Sequence, residues 1–248
     1  MEGVRPSRLD SFLRPVHRWV WRDPLRRARK LFRFAETEAD GGRDLSRAAE
    51  LTADALLRRL YLRHALDEQR HAVLFRLRGR SLMNGLSSAA HDGFEANWLA
   101  PGERGLDDLH VDGARDGSLL AFLHLSEKAA AGRFAIYQEV LGSDPGTQAI
   151  FSEILRDEAF HMRYTQTQLV RMEPNKHRLR LWQARLGRLG KAYLRAAAAI
   201  AGLLGTLLLL LQYAVLLPPF ALLAKRAARR EPKGWTVRRQ TSSMKSQY

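Results

Sequence analysis

The sequence predicts an all-α protein in which a four-helix bundle with one long crossover precedes a C-terminal hydrophobic membrane helix. Between Phe32 and Met172, apolar residues recur at helical spacing, and long alternating β-branched runs are absent. A stretch rich in Gly, Asp and Pro over 83–118 divides this region into two helical halves of similar length, as a long crossover requires. The run from Ala196 to Ala224 then continues for 29 residues without a charge.

The chain is predicted to have four parts. They are a basic aromatic N-terminal segment (1–29), a helical bundle (30–175), a basic-flanked transmembrane or membrane-anchoring segment (176–230, apolar over 196–224) and a disordered tail (231–248). Trp19 and Trp21 stand among arginines in the first part, a mixture that suits either a lipid headgroup region or a helix docked on the bundle. Turns are expected near 52–54 and at 142–146.

The apolar run predicts membrane association. As a helix it would extend about 43 Å, more than the roughly 30 Å of a hydrocarbon core. Seven Lys or Arg residues flank it on each side, over 176–195 and 225–239, so the positive-inside rule does not choose an orientation. Pro218 and Pro219 are expected to break the helix near its far end, which leaves a re-entrant or interfacial segment open.

Charge and composition narrow the function classes. The net charge of +15 comes from the two ends, because residues 34–175 carry −6 and residues 176–248 carry +14. Basic residues around an apolar run favour an anionic membrane surface over nucleic acid as the partner. The absence of Cys excludes thiolate metal sites and disulfides. The Arg-rich N-terminus has no continuous apolar stretch, so the bundle is expected on the cytoplasmic side of the membrane.

A repeated pattern marks candidate metal ligands in both halves of the bundle. Glu68 and His71 form one Glu-x-x-His sequence, with Glu36 thirty-two residues before Glu68. Glu158 and His161 form another, with Glu127 thirty-one residues before Glu158. Thirteen Glu and eight His would give about 0.4 such matches by chance, and both matches follow an Asp.

Helical geometry explains the spacing. Residues three apart share a helix face, so each Glu-x-x-His sequence presents an oxygen and a nitrogen to one point. Four buried carboxylates would repel one another, whereas two divalent ions would compensate them. The alternative is that the residues are ordinary exposed charges. The predicted metal ligands are Glu36, Glu68, His71, Glu127, Glu158 and His161.

The two aspartates beside these sequences are expected to orient the imidazoles. A metal-bound histidine usually donates its other N–H to a carboxylate, and across the repeat Asp67 would serve His161 and Asp157 would serve His71. Five further residues fall near the expected site, although each is more often packed or solvated than functional. They are His64, His124, Tyr137, Tyr164 and, as an additional carboxylate, Asp40.

One Glu on each of two helices and Glu-x-x-His on the other two resembles the ferritin-like di-iron carboxylate superfamily, in its rubrerythrin, demethoxyubiquinone hydroxylase and alternative oxidase branches. The resemblance covers roughly residues 30–172 and implies two iron ions, with manganese also compatible. Without Cys there is no rubredoxin module. Ala130 and Ala131 stand where some relatives carry an extra carboxylate, which would leave space beside the metals for dioxygen or substrate.

Three functions follow as expectations. The first is a membrane-associated oxidoreductase that activates dioxygen to oxidise or hydroxylate a quinone or lipid, with an unidentified electron donor and no assigned catalytic residue beyond the metal ligands. The second is a ferroxidase or rubrerythrin-like peroxidase that handles iron or peroxide. The third is a membrane scaffold with a structural metal. An apolar channel to the metals would favour the first and an acidic path the second. Ferritin-like bundles frequently pair, so a homodimer is a further expectation.

Overall fold

A computed structural model describes residues 6–86 and 111–229, and all regular secondary structure in these residues is α-helical. The predicted tail at 231–248 and most of the predicted crossover lie outside the described residues. The helices are α1 (Arg8–Phe12), α2 (Arg14–Arg22), α3 (Pro24–Leu51), α4 (Ala55–Asn84), α5 (Asp116–Val140), α6 (Pro145–Met172) and α7 (His177–Ala228).

Aspartates begin three of the long helices. Asp23, Asp54 and Asp144 each accept a hydrogen bond from the backbone N–H three residues later, at 2.7, 2.8 and 3.0 Å. Such bonds satisfy an amide that has no partner within the helix. Pro follows the cap in α3 and α6, where its missing N–H and fixed φ suit the first helical position. The predicted turns at 52–54 and 142–146 are confirmed, since α4 and α6 begin there.

Helices α3 to α6 pack as antiparallel neighbours. Between α4 and α6, the contacts His64–Tyr164, His71–Asp157 and Arg78–Thr147 show residue numbers rising on one helix as they fall on the other. Extensive contacts also join α3 to α4 and α5 to α6, which form two helical hairpins. The four helices therefore bring side chains from both halves of the sequence to the same height.

The connection between the hairpins joins opposite ends of this four-helix core. Near the end of α4, Arg78 donates to Asp144, which caps α6, at 2.6 Å. At the start of α5, Asp116 accepts from the Thr52 hydroxyl at 2.8 Å, beside the turn between α3 and α4. The end of α4 and the start of α5 therefore lie at opposite ends of the core.

Two apolar clusters lie towards opposite ends of the core. One contains Leu45, Tyr61 and Leu120, and the other contains Trp21, Phe75 and Phe151. Trp21 is 1% exposed, with its ring centroid 5.0 Å from that of Tyr137, so this part of the N-terminal segment docks on the core. Trp19 on the same helix is 60% exposed.

The chain divides by contacts into two compact units, Met1–Ala192 and Tyr193–Tyr248, and the division falls within α7. Helix α7 has no buried residues, and it is the helix among the described residues that is long and apolar enough to cross a membrane. The expected break at Pro218 and Pro219 is wrong, because both lie inside the helix. Proline φ is itself helical, and the Leu- and Ala-rich flanks are strong helix formers.

Candidate metal centre

Two groups of potential ligands meet in the middle of the four-helix core. In each group, one ligand atom from every residue lies within 4.8 Å of the others. Glu68 belongs to both groups, so the two positions are adjacent. The first group is Glu38, Glu68, His71 and Glu158, and the second is His64, Glu68, Glu127 and His161.

Five of the six predicted ligands come together, and Glu38, rather than Glu36, joins them in the cluster. The buried face of α3 carries residues 31, 35, 38, 42, 45 and 49, spaced by three and four. Glu36 lies about 200° around the helix from Glu38 and accepts a hydrogen bond from Arg76 at 2.8 Å. The apolar spacing of α3 identifies Glu38, whereas the interval to Glu68 alone does not separate two glutamates two residues apart.

Both Glu-x-x-His histidines are held by the aspartates expected to orient them. His71 Nε2 lies 3.1 Å from Asp157 Oδ2, and His161 Nε2 lies 3.2 Å from Asp67 Oδ2. The guanidinium of Arg70 also donates to Asp157. These contacts favour the tautomer with the proton on Nε2, which leaves the Nδ1 lone pair directed into the cluster.

The Nδ1 atoms are buried without a hydrogen-bond partner among the described residues. Nδ1 of His71 is 3.6 Å from Glu38 Oε2, and Nδ1 of His161 is 3.8 Å from Glu68 Oε1, both too long for hydrogen bonds. Oε2 of Glu158 is likewise buried without a partner. Buried polar atoms are rarely left unpaired, so these three atoms within the ligand cluster fit bound cations.

The carboxylates impose a large electrostatic cost on the cluster. Burial, together with the charges of Glu38 and Glu127, raises the pKa of Glu68 well above its usual range. Burial and the charge of Glu127 raise the pKa of Glu158 in the same way. Protons on these two groups reduce the repulsion here, and divalent cations would replace them.

His64 also joins the cluster, although its position in the sequence is only a weak indication of a site residue. Its Nε2 lies 3.1 Å from Glu68 Oε1 and 3.5 Å from Glu127 Oε1, while its Nδ1 lies 2.7 Å from the hydroxyl of Tyr164. Burial and the neighbouring His161 and His71 lower the pKa of His64 well below its usual range, so the ring is neutral. Its position one turn before Glu68 was the available signal.

The remaining weak candidates lie outside the ligand groups. His124 Nδ1 is 3.1 Å from the carbonyl oxygen of Met162, and Asp40 pairs with Arg43. Tyr137 packs among the aromatic side chains near Trp21. These residues therefore lie around the cluster and do not belong to either ligand group.

Glycines bring α3 close to α4 at the level of the ligands. A Cβ atom on Gly42 would lie 3.1 Å from the carbonyl oxygen of Ala65 and 3.4 Å from Cβ of Glu68. Larger residues would push the helices apart, so Gly42 sets the spacing at which Glu38 reaches Glu68. A Cβ atom on Gly41 would lie 3.6 Å from Oε2 of Glu68, so this glycine leaves space beside the carboxylate.

A cavity of 260 Å³ leads to the carboxylates between α3 and α5. Its wall includes Glu38, Glu68, Glu127 and Glu158, and Ala130 also lines it, where the sequence predicted space. The rest of the lining is largely apolar and aromatic but includes two arginines. The other lining residues are Arg33, Phe34, Thr37, Gly41, Leu45, Phe122, Leu123, Ser126, Arg133, Phe134 and Tyr137.

The donor atoms of this centre are of the types that bind divalent transition-metal ions. Neutral imidazoles and carboxylates suit iron, manganese and related divalent ions, and a shared carboxylate between two groups suits a pair of ions. Comparisons of the chain with protein-family models, curated proteins and solved structures found no match.

Proposed function

We propose that this chain is a ferritin-like di-iron carboxylate protein, associated with a membrane through α7, that uses dioxygen to oxidise or hydroxylate an organic substrate such as a quinone or lipid. The observation that carries the proposal is the paired ligand cluster, in which two imidazole Nδ1 atoms are buried without hydrogen-bond partners among the described residues while their Nε2 atoms contact aspartates. The order of the four antiparallel helices and the doubled Glu-x-x-His pattern support the ferritin-like assignment.

The ligand roles follow from the two groups. Glu38 and His71 would hold one ion and Glu127 and His161 the other, and Glu68, which belongs to both groups, would contribute to both positions. Glu158 belongs to the first group and lies beside Glu127, so it is a second bridging candidate. His64 adds a third nitrogen on the Glu127 side. Two bound iron ions would supply the electrons and the open coordination positions that dioxygen reduction needs.

The chain's own residues control position and protonation. Asp67 and Asp157 hold the two imidazoles with Nδ1 towards the centre, and Arg70 keeps Asp157 in place. The Tyr164 hydroxyl contacts Nδ1 of His64, which gives the interior a polar path from the cluster to a buried phenol. These contacts fix the geometry before any substrate enters.

The cavity favours an organic substrate over a ferrous ion. Phe34, Phe134 and Leu123 surround the approach to the carboxylates. Arg33 also lines it, and its positive charge disfavours entry of a divalent cation by this route. Apart from the four cluster glutamates, the described residues that line the cavity include no carboxylate, so they do not extend into the acidic path that a ferroxidase would use.

The reaction of the reduced protein with oxygen tests the proposal. The full chain in lipid nanodiscs would be loaded with Fe²⁺ without oxygen and mixed with oxygenated buffer in a stopped-flow instrument, with and without a short-chain quinol. We expect rapid iron oxidation coupled to quinol consumption, and neither in the Glu68→Ala/Glu158→Ala variant. Glu139→Ala is the control, because this exposed residue on α5 pairs with Arg14.

The other outcomes separate the alternatives. Iron oxidation that proceeds at the same rate and stoichiometry without an organic reductant would indicate a ferroxidase or peroxidase. Iron that binds but does not react with oxygen would indicate a structural metal in a membrane scaffold.

A further inference from the structure

Helix α2 has one face on the four-helix core and another face exposed. The rings of Trp21 and His17 both pack on Tyr137 of α5, with centroid distances of 5.0 and 5.2 Å. Val16 and Trp19 are exposed. Because each residue turns a helix by about 100°, Trp19 lies about 160° around α2 from the docked Trp21. The contacts with α5 therefore direct the opposite face of α2 away from the core.

The exposed face carries large apolar side chains. Val16 and Trp19, three residues apart, lie on one side of α2 and are 52% and 60% exposed. Phe12, the last residue of α1, lies four residues before Val16 and is 80% exposed. The guanidinium of Arg26 lies 4.0 Å from the ring centroid of Trp19 and donates to the Trp19 carbonyl oxygen at 3.2 Å. Aromatic and cationic groups are therefore combined at the surface of this segment.

Exposed arginines without acidic partners accompany these apolar side chains. Arg8, Arg18 and Arg22 are exposed, and none of them forms an ion pair with the residues that the structure describes. The two acids within residues 6–23 have other contacts. Asp10 accepts from a serine hydroxyl at 2.6 Å, and Asp23 accepts from a backbone amide of α3 at 2.7 Å. The segment therefore presents positive charge together with its apolar surface.

From this combination we infer that the exposed face of α1 and α2 binds an anionic membrane surface, with Phe12, Val16 and Trp19 between the headgroups and Arg18 and Arg22 on lipid phosphates. Aromatic side chains of interfacial helices enter the boundary between headgroups and acyl chains, and arginine pairs with phosphate oxygens. A second copy of the same face would bring arginines against arginines, which disfavours self-association through it.

The inference adds a second lipid contact to the one proposed for α7. It rests on the membrane association in the proposed function and is independent of the metal centre. Because α7 would keep the chain at the membrane, a weak contact through α1 and α2 becomes effectively intramolecular. A modest surface of this kind is then enough to hold the face on lipid.

A fluorescent label at single cysteines tests the inference, because the chain has no Cys of its own. Phe12→Cys, Val16→Cys and Trp19→Cys variants of the full chain would each carry the small apolar fluorophore bimane, in nanodiscs of phosphatidylcholine with or without phosphatidylglycerol. With the anionic lipid, quenching by brominated acyl chains should appear, and quenching by aqueous acrylamide should be largely lost. Leu66→Cys is the matched control, because Leu66 is a 66% exposed apolar residue on α4 and should stay accessible to acrylamide.

Substitution of the arginines tests the role of charge. In the Trp19→Cys chain, Arg18→Gln/Arg22→Gln should remove the effect of the anionic lipid on both kinds of quenching. Arg156→Gln/Arg163→Gln removes the same number of charges from exposed residues of α6 and should preserve the effect. Circular dichroism should show the same helical content in all of these variants.

Three results would overturn the inference. Labels that stay accessible to acrylamide in anionic nanodiscs would show that this face does not contact lipid. Equal shielding of the label at position 66 would show nonspecific adsorption. Shielding that is already complete in detergent, with chains associated in pairs, would assign the face to a protein partner. Failure of the proposed function is recognised separately, as missing iron in the wild-type chain or as a chain that does not enter nanodiscs, in which case the labels are read with vesicles of the same lipids.

Discussion

Glu36 and Glu38 lie on one helix, two residues apart, yet they have opposite environments. Glu38 is 8% exposed and faces Glu68 and His71, whereas Glu36 pairs with Arg76 at the edge of α3. A helical turn of 3.6 residues accounts for the difference, because a step of two residues crosses to the other side of the helix. The helix face on which a glutamate lies, rather than its residue type, therefore determines whether it can join the ligand cluster.

Replacement of these two glutamates should have different effects on the amount of iron that the chain binds. Glu38→Ala removes a carboxylate from one ligand group, so iron bound per chain should fall from about two to about one or fewer. Glu36→Ala should leave the iron content unchanged, because its contact is to Arg76. Metal analysis of both purified variants checks this. Loss of iron in Glu36→Ala alone would restore the original ligand prediction and contradict the geometry.

Asp144 caps the start of α6 and also connects this helix to α3 and α4. Burial alone would raise its pKa, but hydrogen bonds from the hydroxyl and amide of Thr147 and from Arg27, with the charge of Arg78, lower it to about 2. The carboxylate is 5% exposed, so solvent screens it little. One aspartate thus starts α6 and ties it to α3 and α4.

The second prediction follows from this lowered pKa. The ordinary value of 3.8 falls to about 2, a difference that corresponds to about 2 kcal/mol of stability. That stability is present above pH 3.8 and is lost as the pH falls through about 2. Asp144→Asn should therefore lower the free energy of unfolding by about 2 kcal/mol at pH 7, and the difference from wild type should vanish near pH 2.

Urea unfolding in mild detergent across this pH range measures the difference. Asp112→Asn serves as the control, because that carboxylate is 78% exposed and its removal should change stability little. An Asn variant as stable as wild type at pH 7 would show that the buried ion pairs contribute nothing net.

Helix positions were largely predictable from the sequence, whereas side-chain details at the site were not. Periodicity indicates the helical region that contains α3 to α6, turn residues indicate the connections at 52–54 and 142–146, and local spacing places both Glu-x-x-His sequences. The choice of Glu38 over Glu36 needs the buried face of α3. The inclusion of His64 depends on the approach of Glu127 and Tyr164 from other helices, which no local pattern contains.

The whole molecule combines a polar interior centre with a long exposed apolar helix. In α7, every residue from Tyr193 to Ala228 is exposed within this chain, including the run of five leucines at 207–211. Such an apolar surface calls for lipid or another chain to cover it. The division of the chain within α7 agrees with two units of different chemistry.

The third prediction concerns this helix. The full chain should resist extraction from membranes by alkaline carbonate and be released by detergent. Leu209→Arg/Leu210→Arg should make it extractable, because each charge near the centre of a spanning helix costs about 2.5–3.5 kcal/mol on insertion scales. Leu186→Arg, outside the apolar run, is the control. Release of the wild-type chain by carbonate would contradict a spanning helix.

Mössbauer spectroscopy of the full chain loaded anaerobically with ⁵⁷Fe²⁺ shows directly whether the cluster binds a pair of metal ions. We predict about two high-spin ferrous ions per chain with nitrogen and oxygen ligands, in two inequivalent sites because His64 lies on the Glu127 side only. Glu68→Ala/Glu158→Ala should abolish both signals, while Glu139→Ala should preserve them. A wild-type chain that binds no iron, or binds it without regard to these glutamates, would contradict a paired metal centre.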